Sequence, residues 1–153
     1  MKMMKFVLTS LLVLITLTAN SQDREKNSRI EKLHEQKWQI LISQADLTPQ
    51  EIDAVKPVFM KYEQSLWKLH QENHEFFKNA YKNLKDVKPN YAELNDRYVD
   101  YEFNEAMMTK NYRLQLRKLL QPETLFKFYK AEREFKRKLL QDLQDHKDHY
   151  KKN

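Results

Sequence analysis

A chain of 153 residues with a net charge of +6, no Gly and no Cys has few folds open to it. Without Cys there is no disulfide staple, and without Gly nothing is suited to tight hairpins or a phosphate-cradling loop, which argues against β-rich, Rossmann and P-loop architectures together. The remaining composition is rich in Lys, Glu, Gln, Leu and Arg, all good helix formers, so the sequence predicts an all-α protein.

Taken in chain order, Met1 to Lys5 carries two positive charges, Phe6 to Leu17 is apolar with three Ser/Thr interruptions, and Ala19-Asn20-Ser21 supplies small residues. That layout predicts a cleavable signal peptide over residues 1–21, since the apolar run is short for a membrane span. Residues 22–28 read as a disordered lead-in, 29–144 as one helical domain, and 145–153 as a charged tail that frays. Once Lys2 and Lys5 are removed, 26 basic and 22 acidic residues remain, and they are unevenly placed. Between Lys110 and Lys138 there are ten Lys or Arg against three Glu, which leaves the rest of the chain net negative.

Four helices follow from start signals and periodicity. The first is expected from about Arg29 to Ser43, with Ser28 and Glu31 as a capping box. Its apolar face carries Ile30, Leu33, Lys37 and Leu41, with Trp38 and Ile40 beside it. The second opens at Leu47-Thr48-Pro49-Gln50-Glu51-Ile52. There Thr48 caps, Pro49 takes the first helical position, Glu51 closes the box, and Leu47 with Ile52 makes a hydrophobic staple. Its stripe of Ile52, Val55, Phe59, Tyr62, Leu66, Leu69, Asn73, Phe76 and Ala80 alternates steps of three and four. Pro57 interrupts it and is expected to bend the helix. Asn90 with Glu93 starts the third helix, whose stripe is Leu94, Tyr98, Tyr101, Glu105, Met108, Tyr112, Gln115 or Leu116, and Leu119. The fourth starts at Leu120-Gln121-Pro122 and carries Leu125, Phe128, Tyr129, Phe135, Leu139 and Leu143. Leu47, Pro49, Phe59, Lys61 and Glu63 recur as Leu120, Pro122, Phe128, Lys130 and Glu132, with one extra helical turn in the first copy.

These two Pro-initiated starts, the signal peptide and the lack of Cys resemble the LTXXQ-motif proteins, the Spy/CpxP-like group, over about Arg29 to Leu143. Within that group the chain is most similar to the short secreted proteins described as sensors of ECF-type sigma factors. The similarity rests on Arg29-Ile30-Glu31-Lys32, on Leu47-Thr48-Pro49 with Lys56-Pro57 and Tyr62-Glu63, and on the stretch from Phe128 to Arg137. It departs from the motif at Gln50, which falls one position early, and at Gln121 and Thr124 in the second copy. The resemblance implies a cradle or hairpin of four long, kinked helices that dimerises. It also implies a periplasmic, non-enzymatic stress adaptor, sensor or chaperone that binds envelope proteins or unfolded clients.

No nucleophile–base constellation stands out, and neither an enzyme nor a cofactor is implied. Behind a signal peptide the basic region points to acidic proteins, or to anionic lipid headgroups or lipopolysaccharide in transient contact, not to nucleic acid. Its candidate partner-binding residues are Arg113, Arg117, Lys118, Lys130, Arg133, Lys136 and Arg137. The alternative site is His70 with His74, four apart on one helical face, a spacing that suits zinc or copper in a metal sensor. Glu72 lies on the opposite side of that helix and does not complete a zincin-like set.

Overall fold

Local sequence decides where the helices begin and end. The computed structural model describes residues 25–82 and 88–151, with 143 and 145–151 described by backbone alone. The signal peptide expected over residues 1–21 lies outside the described residues, as do positions 83–87 of the connector between the second and third helices. The described residues form four helices and no strand: α1 over residues 25–45, α2 over Pro49–Lys82, α3 over Tyr91–Leu119 and α4 over Pro122–Lys151. None of them is long and apolar enough to cross a membrane.

Helix α1 is already formed at residue 25, so Ser28 sits inside it and does not cap it, and positions 25–28 of the expected lead-in are helical. The physical reason is the ion pair between Glu25 and Arg29, an i,i+4 contact in the favourable acid-first order that spans the expected boundary. At its other end α1 closes with Asp46 at φ 53° and with the Leu47 N–H donating to the Ile42 carbonyl at 3.2 Å. That is the six-to-one bond of a Schellman cap, with Asp in the left-handed position that Gly usually takes. Leu47 then serves α2 as its staple residue, and the capping box forms in full. The Glu51 N–H donates to Thr48 Oγ1 at 3.3 Å, and the Thr48 N–H donates to Glu51 Oε2 at 2.9 Å.

Helix α2 runs for 34 residues, about 50 Å at ~1.5 Å per residue, and continues through Pro57. Asn90 caps α3 by accepting from the Glu93 N–H at 3.3 Å. Two residues, Leu120 and Gln121, separate α3 from α4. Helix α4 extends to Lys151 where a fraying tail was expected, because no Pro follows Pro122 and the chain has no Gly to supply a stop.

The chain divides between Lys37 and Trp38 into two units. In the second, Trp38 is fully buried between Phe59, at 5.2 Å between ring centroids, and Phe128, at 6.5 Å. Phe59 and Phe128 hold equivalent places in the two similar helix starts, so both starts deliver their aromatic to the same ring. Leu41, Ala45, Leu47, Val55, Leu116, Leu120 and Ala131 complete this core with Tyr112. The buried positions on α1 are His34, Trp38, Leu41 and Ala45, a face rotated from the one drawn through Lys37.

Beyond the core α2 and α3 run antiparallel. Tyr62 stacks on Tyr112 with centroids 4.0 Å apart and planes 2° from parallel, and its hydroxyl lies 3.1 Å from Thr109 Oγ1. Further out His70 meets Tyr101 at 5.8 Å and Phe77 meets Tyr98 at 4.4 Å. The α3 stripe thins along this arm: Tyr112 and Leu116 are buried, while Tyr98 is half exposed.

Candidate protein-binding face

Helix α4 buries one phase of its sequence and presents the opposite one. Phe128, Ala131 and Glu132 are buried, with Leu125, Phe135 and Leu139 partly so. At about 100° per residue the opposite side collects Phe126, Arg133, Arg137 and Leu140, seven, four and three residues apart. Phe126 is 64% exposed and Leu140 52%, and both arginines are exposed between them. Lys130, on the edge of this face, lies 3.8 Å from Glu134, and Lys136 is exposed on the other edge. Beside the face is an open groove of about 810 Å³ between the end of α1, at Ile40 and Gln44, and the stretch of α4 from Glu134 to Gln144. Ile40 and Phe135 give it apolar surface, Gln44 and Gln141 give amides, and Arg137 belongs to both groove and face.

The seven cations nominated from the sequence separate into kinds. Arg113 turns inward: its Nη2 lies 3.2 Å from Glu132 Oε2 and its guanidinium 3.7 Å over the Tyr129 ring. Glu132 is 8% exposed, and its other oxygen accepts a 3.1 Å hydrogen bond from the Tyr112 hydroxyl. Arg113 therefore neutralises a buried carboxylate, a role that charge counting missed because the two residues lie on different helices. Burial first, and then the adjacent Glu132 charge, pushes the Tyr112 phenol well above its ordinary value. Arg117, Lys118, Arg133, Lys136 and Arg137 form no ion pair among the described residues. Arg117 and Lys118 occupy the last turn of α3, where cations favour the helix dipole. The helix-start residues Leu47, Thr48, Pro49, Glu51, Leu120 and Pro122 have structural duties, and Leu47 and Leu120 are buried in the core.

The two histidines also separate. His70 Nε2 lies 3.8 Å from Glu105 Oε1 on α3, while His74 is exposed. Among the described residues no three His, Cys, Asp or Glu side chains gather as a metal-binding group. Asn73, the other polar residue on the α2 stripe, has a buried Oδ1 without a hydrogen-bond partner among the described residues. The tail histidines His146 and His149, which with Asp145 and Asp148 have the residue types of a second metal set, fall where only the backbone is described. No family model, no curated protein and no solved structure matches this chain.

Proposed function

We propose that this chain is a non-enzymatic protein-binding protein of the envelope, exported by its signal peptide, that takes acidic or partly unfolded polypeptide segments on the outer face of α4. Adaptor, sensor and chaperone of the Spy/CpxP type are the roles such binding serves. The observation that carries the reading is the pairing of Arg133 and Arg137 with exposed Phe126 and Leu140 on one helix face beside an open groove. Aromatic and aliphatic side chains supply contact area, cations without an ion-pair partner among the described residues supply fast encounter with an acidic chain, and neither is used by the core. The test is binding of a chemically unfolded acidic protein to wild type and to the double variant Arg133→Glu/Arg137→Glu. Affinity is expected to fall by at least about tenfold and to weaken with added salt in the wild type. Unchanged affinity and salt dependence would refute the reading. The rival is a metal sensor at His70 and His74, supported only by their spacing. Submicromolar zinc or copper binding abolished by His74→Ala would put that reading first.

A further inference from the structure

The second half of α3 turns a row of apolar side chains and cations outward. Phe103, Met107, Lys110, Leu114 and Arg117 follow one another in steps of four, three, four and three, with Lys118 beside the last, so they share one side of the helix. By the same spacing this side is opposite the one on which Tyr112 and Leu116 are buried. Phe103 is 63% exposed, Leu114 44% and Met107 39%, and the three cations are exposed among them. No Asp or Glu occurs between Glu105 and Glu123, and Lys110, Arg117 and Lys118 form no ion pair among the described residues. Nearer the start of the helix the charge reverses, with Asp96 and Asp100 both exposed.

From this pattern we infer that the second half of α3 lies along the surface of a bilayer that carries anionic phospholipid. Phe103, Met107 and Leu114 sit at the boundary between headgroups and acyl chains, and Lys110, Arg117 and Lys118 among the headgroups. The placement of the cations selects the occupant. The centre of a protein–protein interface is apolar and keeps charge to its rim. Here Lys110 stands in the middle of the apolar row, one turn from Met107 and one from Leu114. A lipid surface accepts that order, because the stem of a Lys or Arg lies along apolar surface while its charged end reaches the phosphates. The charges also give the sign of the lipid and the pose. An anionic surface attracts the three cations and repels Asp96 and Asp100, so the helix meets it with its second half down and its beginning raised. From Phe103 to Lys118 the contact runs about 22 Å at ~1.5 Å per residue. With three apolar side chains the contact is peripheral, and it needs the charge term as well as the apolar one. This face is on a different helix from the α4 face, so the two readings stand or fall separately.

Co-sedimentation of the full mature chain with phosphatidylcholine vesicles, with and without about 30% phosphatidylglycerol, tests it. The wild type is expected to partition onto the anionic vesicles at least about tenfold more strongly than onto the neutral ones, and to be released by added salt. The triple variant Lys110→Glu/Arg117→Glu/Lys118→Glu and the single variant Phe103→Ser are each expected to weaken that partitioning at least about fivefold, with helical circular dichroism unchanged. Arg133→Glu/Arg137→Glu on α4 should change it less than about threefold. Because the chain has no Cys, a thiol-linked fluorophore reports the pose directly. Attached through Met107→Cys its emission should shift to the blue on anionic vesicles, and attached through Asp96→Cys it should not. Equal binding to both kinds of vesicle, a triple variant that binds as the wild type does, a larger loss from the α4 variant than from the α3 one, or no shift at Met107→Cys would each overturn the inference. Binding to soluble polyglutamate as tight as to the anionic vesicles would overturn it too, and would give this face to an acidic protein.

Discussion

Replacing Tyr112 with Phe isolates one bond in the interior of this protein. The ring is 2% exposed and lies flat on Tyr62, and Phe preserves its volume and stacking. What is lost is the 3.1 Å hydrogen bond from its hydroxyl to Glu132 Oε1. Hydrogen bonds to a charged group contribute about 1.5–3 kcal/mol, and removing the donor leaves a buried carboxylate oxygen under-satisfied. Arg113 still faces the other oxygen at 3.2 Å, so the loss should fall in the lower half of that range, about 1.5–2 kcal/mol. Urea unfolding followed by helical circular dichroism reads it, and the cycle with Glu132→Gln should give a coupling of at least about 0.5 kcal/mol. The pH dependence supplies an independent check. The folded phenol titrates above its unfolded value near 10, so the folded state holds that proton more tightly. The resulting stabilisation is fully present below pH ~10 and is lost as pH rises above it. Tyr112→Phe should flatten that alkaline decline, although Tyr62, raised by its burial, contributes in the same direction. A Tyr112→Phe protein within about 0.5 kcal/mol of wild type, with the same alkaline slope, would show that the buried carboxylate does not depend on this hydroxyl.

Truncating Trp38 to Ala removes the ring between Phe59 and Phe128 and should cost about 3–5 kcal/mol in urea unfolding, because the cavity opens where α1, α2 and α4 meet. Thr48→Ala deletes one half of the α2 capping box, and a loss of about 1 kcal/mol is expected by the same measurement. Arg113→Glu would set a second carboxylate against Glu132 and should cost about 3–5 kcal/mol, whereas Arg137→Glu on the exposed face should stay within about 0.5 kcal/mol of wild type by thermal or urea unfolding.

The parts of the fold that were legible in the sequence are those decided within a few residues. Thr48, Pro49 and Glu51 need only one another to start α2, and Asn90 with Glu93 does the same for α3. Ser28 and Glu31 spell the same box, yet the helix runs past them, because a cap competes with whatever favours continuing the helix. Here that is Glu25 paired with Arg29. The absence of Gly argued correctly against a β-rich chain but was no guide to the α1–α2 turn, where Asp46 adopts the left-handed backbone itself. The stripe on α2 was legible in part: Val55, Phe59 and Leu69 are buried, whereas at its far end Phe77 is buried in place of the expected Phe76. The α3 stripe was drawn too far at its end, where Leu119 is exposed, and near its beginning Tyr98 is half exposed although it meets Phe77, since period alone does not say how fully a neighbouring helix covers it.

The basic region shows the corresponding limit for function. A count of charges between Lys110 and Lys138 treats Arg113 and Arg137 alike, and both suit an acidic partner on paper. They differ in what stands across from them. Arg113 meets Glu132 because the two-residue break at Leu120 and Gln121 folds α4 back against the end of α3, a tertiary contact that no spacing within either helix encodes. Arg137 was distinguishable in advance, because the apolar phase of α4 through Leu125, Phe128 and Phe135 places Arg133 and Arg137 on the opposite side, with Phe126 and Leu140. Reversing Arg113, Arg117, Arg133 and Arg137 together would therefore confound binding with unfolding. A charge-reversal experiment on Arg117, Arg133 and Arg137, leaving Arg113 in place, keeps the core intact while it removes exposed cations.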